Sequence, residues 1–218
     1  MRDSGPIHVL LFGGLLASTG CHKRYQRHAD DLGHVKVVVR DPGIATVQTG
    51  DSDIAEPETL TEAAIETASE VATIVLASKA QKKLNRGTSA AETRAAMATG
   101  LLQSVDNEAL PYKVGEKGRS RLIISIENYG LDASTGVPTA FMNTWTSIVN
   151  KQGKVVYRAT EICRRSIGPD AQIPFDTVDE LMAIHALSEL GPKRMGKVLE
   201  QLTQTCAEEI ATELVTHL

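Results

Sequence analysis

Asp179, His185 and Ser188 are the residue types of a nucleophilic triad, in which a carboxylate orients an imidazole that takes the serine proton. All three fall on one expected helix, where only residues three or four apart meet. His185 therefore reaches Ser188, while Asp179, six positions from His185, does not. Glu208 and Glu209 are the pair that acid–base hydrolysis would use, but neighbouring helix positions diverge and cannot face one substrate. Glu127 and Glu161 sit on expected strands among apolar residues, where burial raises a carboxyl pKa, yet neither has a second catalytic partner. His22, His28 and His34 lack carboxylate or cysteine partners at ligand spacing. Gly14 and Gly20 enclose five residues and are followed by Cys21 and His22, so the phosphate-cradling loop with its lysine is missing. These residues assign no catalytic group, no metal ligand and no cofactor.

Lys193, Arg194 and Lys197 crowd the start of an expected helix, where the dipole disfavours cations by about 0.3 to 1 kcal/mol each. Asp176, Asp179 or Glu189 could offset that internally; an anionic partner is the other explanation. Net charge is −4, which argues against a nucleic-acid binder, since that task needs a basic footprint. Aromatic residues make up 4% of the chain, too few for a base-stacking or sugar-stacking platform. Hydrophobic content of 42% over 218 residues suits a single folded domain.

The stretch IHVLLFGGLLASTGC, from Ile7 to Cys21, has a short apolar run followed by small residues and a cysteine. It resembles the leader of bacterial lipoproteins: Thr19 and Gly20 fit the pattern before the cysteine, and Ser18 departs from it. The resemblance implies a signal peptide over 1–20, a Cys21 that carries lipid, palmitate included, as the first mature residue, and export to the cell envelope. His22 after that cysteine implies outer-membrane sorting, facing the periplasm. Residues 21–34 then read as a basic tether, with Lys23, Arg24, Arg27 and His28 open to attraction by anionic head groups. A rival reading makes VLLFGG the first strand of a cytosolic α/β enzyme.

The positioning elements follow from periodicity and punctuation. A strand is expected over Val35–Arg40, with a second over Ile44–Gln48 after the turn Asp41-Pro42-Gly43. Two helices follow, opened by Thr59/Glu62 and Ser89/Glu92 capping boxes; the first places Leu60, Ala64, Ala68, Val71 and Val75 on one side. Leu110–Val114 reads as a short edge strand. Arg121–Leu131, Thr139–Val149 and Val155–Arg165 read as an antiparallel meander, the last pair joined through Gly153. A third capping box, Thr177/Glu180, opens a helix ending at Gly191. The final helix carries Met195, Leu199, Leu202, Cys206, Ile210 and Leu214 on one side. The expected fold is thus α/β of the α+β type over 35–218, an antiparallel meander sheet covered on one face by helices.

Tyr129-Gly130-Leu131 and the hairpin through Gly153 and Tyr157 are similar in layout to small periplasmic lipoproteins that assist secretion or cell-wall synthesis. With Cys21 assigned to lipid, Cys163 and Cys206 remain. One is expected on a sheet face and the other on the apolar helix side, so they either form a disulfide or stay as two buried thiols. The functional expectation is a non-enzymatic, lipid-anchored envelope protein, an assembly factor, adaptor or structural accessory with a protein partner. A binding module for an envelope lipid or glycan on the uncovered sheet face is the alternative, beside the cytosolic enzyme.

Overall fold

The β-rich stretch between residues 120 and 166 builds the centre of the molecule, in a computed structural model that describes residues 19–50, 60–106, 110–167 and 180–218. Strands β4 (Ser120–Asp132), β5 (Thr139–Val149) and β6 (Val155–Ser166) pair antiparallel in succession. The β5–β6 turn is closed by Asn150, whose side-chain oxygen accepts from the amides of Gln152 and Lys154, and by Gly153 at φ +79°.

The sheet as a whole is mixed, which corrects the expectation of an antiparallel meander. Strand β1 (His34–Val39) runs parallel to the first half of β4, β2 (Thr46–Gln48) parallel to its second half, and β3 (Lys113–Gly115) parallel to β1. The order is β3-β1-β4-β5-β6, with β2 on the same edge of β4 as β1. Asp41-Pro42-Gly43 is the cause: it steps the chain sideways along β4, with Asp41 accepting from the Gly43 amide, and does not reverse it into a hairpin. Backbones come so close at the second step that a side chain at Gly130 would collide with the Thr46 carbonyl.

Helices α2 (Leu60–Gly87), α3 (Ala90–Asp106) and α5 (Pro192–Thr216) pack against the sheet, and α4 (Glu180–Glu189) packs on α2. All six apolar residues expected on one side of α5 are buried, and the helix packs on β5 and β6. Helix α2 departs from expectation. Val71 and Val75 are exposed, whereas Ala80 and Leu84, nearer its end, are buried. Helical period marks which side of a helix is apolar, but not which turns of a 28-residue helix find a neighbour. Its last turn meets α5 backbone to backbone: a side chain at Gly87 or at Gly196 would strike the other helix. Thr59 and Thr177, from two of the capping boxes, lie outside the described residues.

Residues 21–34 are not a solvated tether. They are largely a helix, α1 (Thr19–His28), followed by a turn into β1, and Tyr25, Ala29 and Leu32 are buried. A single aromatic ring in a charged stretch is enough to dock it. The Tyr25 hydroxyl shares a 2.6 Å hydrogen bond with Tyr112, and its ring lies 4.9 Å from that of Tyr157. Burial pushes the Tyr25 phenol up to about 12, against the lowering effect of the Tyr112 bond, and pushes the phenols of Tyr112 and Tyr157 up as well. Helix α1 is therefore part of the folded body. Tyr25→Phe should leave the Tyr112 hydroxyl buried without its partner and cost about 1–3 kcal/mol, read as a lower urea midpoint at unchanged slope.

Candidate functional site

Cys163 lies on the helix-facing side of β6 and Cys206 on the buried side of α5, and the two are joined as a disulfide with alpha carbons 5.5 Å apart. Glu209, one turn further along α5, brings an oxygen within 4.8 Å of the sulfurs. Three potential ligands thus meet, but a disulfide spends both thiolates that would bind a soft metal, leaving one carboxylate.

Glu161 precedes Cys163 by two residues and shares its side of β6, facing the last turns of α5. Burial, then the charges of Glu213 and Glu209, push its carboxyl up to about 7, opposed by His217. His217 itself contacts the Glu213 carboxylate. This interlayer group is polar and titratable. It nevertheless supplies no nucleophile held by a base, and Glu127, the other strand glutamate, is exposed at the bulge in β4.

The remaining candidates separate in space. Ser188 is buried and donates its hydroxyl to the His185 carbonyl, so it is committed to the backbone of α4; Asp179 lies outside the described residues. Lys193 and Lys197 line a cleft of about 570 Å³ with Ser89, Thr93, Glu92 and Glu200. Two acids offset the two lysines there. Glu189, one of the expected internal partners of the basic cluster, instead binds Lys79 at 2.6 Å, and Asp176 lies outside the described residues. Cys21 is on α1, and of the expected 1–20 leader residues 1–18 lie outside the described residues. Among the described residues, no helix is long and apolar enough to cross a membrane.

Sequence reasoning left open which sheet face is uncovered. The side chains opposite the helices include Lys36, Val38, Arg121, Ile123, Ser125, Trp145, Ser147, Arg158 and Thr160, with Asn143, Ile162 and Arg164 toward the far end of β6, where Phe141 on the same face is buried. Trp145 is 40% exposed and Ile162 63%. The Arg158 guanidinium lies 5.9 Å from the centre of the Trp145 ring, a cation–π contact, and Arg164 reaches the buried Asp132 at 3.5 Å. Strand alternation placed Trp145 and Phe141 together; the basic flanks needed the pairing register, which no local pattern encodes.

No protein-family model matches the chain, and no curated protein matches it. Among solved structures, a Xanthomonas campestris protein of the DUF330 family is similar at 12% identity and a TM-score of 0.39, over 57% of this chain and 62% of that one. A candidate lipoprotein from Caulobacter crescentus is similar at 14% identity and a TM-score of 0.32, over 57% of this chain and 81% of that one. The chain thus spans less than two thirds of the first, and likeness at this level carries no inference about activity.

Two outcomes follow from the interlayer group. The disulfide closes a separation of 43 residues, so reduction, or Cys163→Ala with Cys206→Ala, should cost about 2–5 kcal/mol in urea unfolding. Glu161 binds its proton more tightly folded than unfolded, so its contribution is fully present at low pH and is lost as pH rises through about 7. The urea midpoint should fall between about pH 5 and about pH 8, and Glu161→Gln should flatten that fall.

Proposed function

We propose that the chain is a non-enzymatic, lipid-anchored protein of the cell envelope that acts as an adaptor or structural accessory of an envelope complex, with Cys21 as the lipid-bearing residue. The observation that carries it is the uncovered sheet face. A tryptophan and an isoleucine stand exposed on adjacent strands, with Arg158 over the tryptophan ring and Ser125, Asn143 and Thr160 paired beside them. Aromatic and arginine side chains on a preformed surface are the ordinary anchors of protein recognition. A lipid-binding module would need a continuous apolar surface, whereas here Trp145 and Ile162 are interrupted by Ser125, Asn143 and Thr160. Outer-membrane placement follows from His22 if Cys21 is processed as the leader indicates.

The anchor is tested by feeding cells a fatty-acid analogue. Label should enter the wild-type chain and not Cys21→Ser, and label in both would sink the proposal. For the face, Trp145→Glu with Ile162→Glu should abolish co-purification of the envelope partner while moving unfolding free energy by no more than about 0.5 kcal/mol, as surface changes do. An unchanged partner set would remove the adaptor role from this face.

A further inference from the structure

The ends of the strands bring a second basic surface together. The beginnings of β1, β3, β4 and β6 and the end of β5 all lie at one end of the sheet. There α1 and the β5–β6 turn form a cleft of about 400 Å³ lined by Arg24, His28, Asp31, Lys151 and Lys154, together with the amides Asn150 and Gln152. Asp31 lies 4.0 Å from His28, and among the described residues Arg24, Lys151 and Lys154 enter no ion pair. Three cations thus face one carboxylate in a chain whose net charge is −4. Lys23 and Arg27 extend the basic surface along α1.

Both walls are held. Tyr25 fixes α1 through Tyr112, and the Asn150 side chain fixes the turn through the Gln152 and Lys154 amides. Cys21 precedes Arg24 by three residues on the same helix, about 4.5 Å along its axis. That is within the Debye length of about 8 Å at physiological salt. A lipid on Cys21 would therefore keep the cleft permanently against a leaflet, at a high effective concentration of head groups.

We infer that the cleft between α1 and the β5–β6 turn seats the phosphate of an anionic phospholipid, so that the molecule stands on the membrane by this end. The inference rests on the lipoprotein reading only for the lipid at Cys21, and its test does without that lipid. Standing this way, the molecule points the start of α5 away from the bilayer. That helix has His217 just past its end, next to Tyr157 at the start of β6, and its 25 residues extend about 37 Å back toward Lys193.

The experiment uses the full chain carrying Cys21→Ser, mixed with vesicles of phosphatidylcholine with or without phosphatidylglycerol. The readout is the difference in sedimented protein between the two compositions, in which any insertion of the apolar leader cancels. Preferential binding to phosphatidylglycerol vesicles that weakens with salt is expected. Lys151→Glu with Lys154→Glu should reduce it at least about tenfold, in line with the attraction of each basic residue near a charged surface. Lys193→Glu with Lys197→Glu changes net charge by the same amount at the far end and should change it less than about twofold. Equal losses from the two pairs, or no preference for the anionic vesicles, would overturn the inference. So would full competition by inorganic phosphate at matched ionic strength, which would assign the cleft to a soluble anion. Because fatty-acid labelling reads the anchor separately, a failed anchor and a failed seat are told apart.

Discussion

Burying one side of α5 against β5 and β6 takes Met195, Leu199, Leu202, Ile210 and Leu214 out of water. Each such side chain contributes about 1.5–3 kcal/mol relative to exposure, before the entropy of ordering it. The Cys163–Cys206 bridge crosses that same seam near its middle and fixes the helix along β6. The other helices take their places from α5. Helix α3 packs along it, and α2 crosses its start where Gly87 and Gly196 let the backbones touch. On the opposite face Trp145 and Ile162 stand exposed, while Phe141 toward the other end of β5 is buried.

The seam also explains where polar groups are tolerated. Glu161 lies between the layers close to the bridge, and its carboxyl is pushed up by burial and then by the two carboxylates of Glu213 and Glu209 on α5. A protonated glutamate is the less costly occupant of that position, so the seam is tightest in mildly acidic conditions. At the same end the three tyrosines Tyr25, Tyr112 and Tyr157 bury large rings while two of them share a hydroxyl bond, which docks α1 without any apolar stripe of its own.

The two basic surfaces differ in the way their charges are held. On the open sheet face, Arg158 sits over Trp145 and Arg164 meets Asp132, so these cations are already partnered and serve recognition more than net attraction. At the strand ends Arg24, Lys151 and Lys154 enter no ion pair among the described residues and outnumber the acid beside them. One surface suits a shaped partner and the other a charged plane. Under the proposed reading, their separation on one sheet would let the protein stand on a membrane by one surface and present the other to a partner.

Much of the fold was legible in the sequence because its signals are local. Alternation and Gly153 marked the β5–β6 hairpin, and helical period marked the buried side of α5 before any neighbour was known. Alternation also put Trp145 and Cys163 on defined strand faces. What only the tertiary structure decided is non-local. The parallel joining of β1, β2 and β3 depends on which distant strand edge they meet, and Asp41-Pro42-Gly43 looks the same in a reversal and in a sidestep. The docking of α1 depends on Tyr112 and Tyr157, 87 and 132 residues away, the first through a hydrogen bond and the second through ring contact. Exposure of Val71 and Val75 shows the same limit, since an apolar side chain records a preference for burial but only a neighbouring surface can supply it.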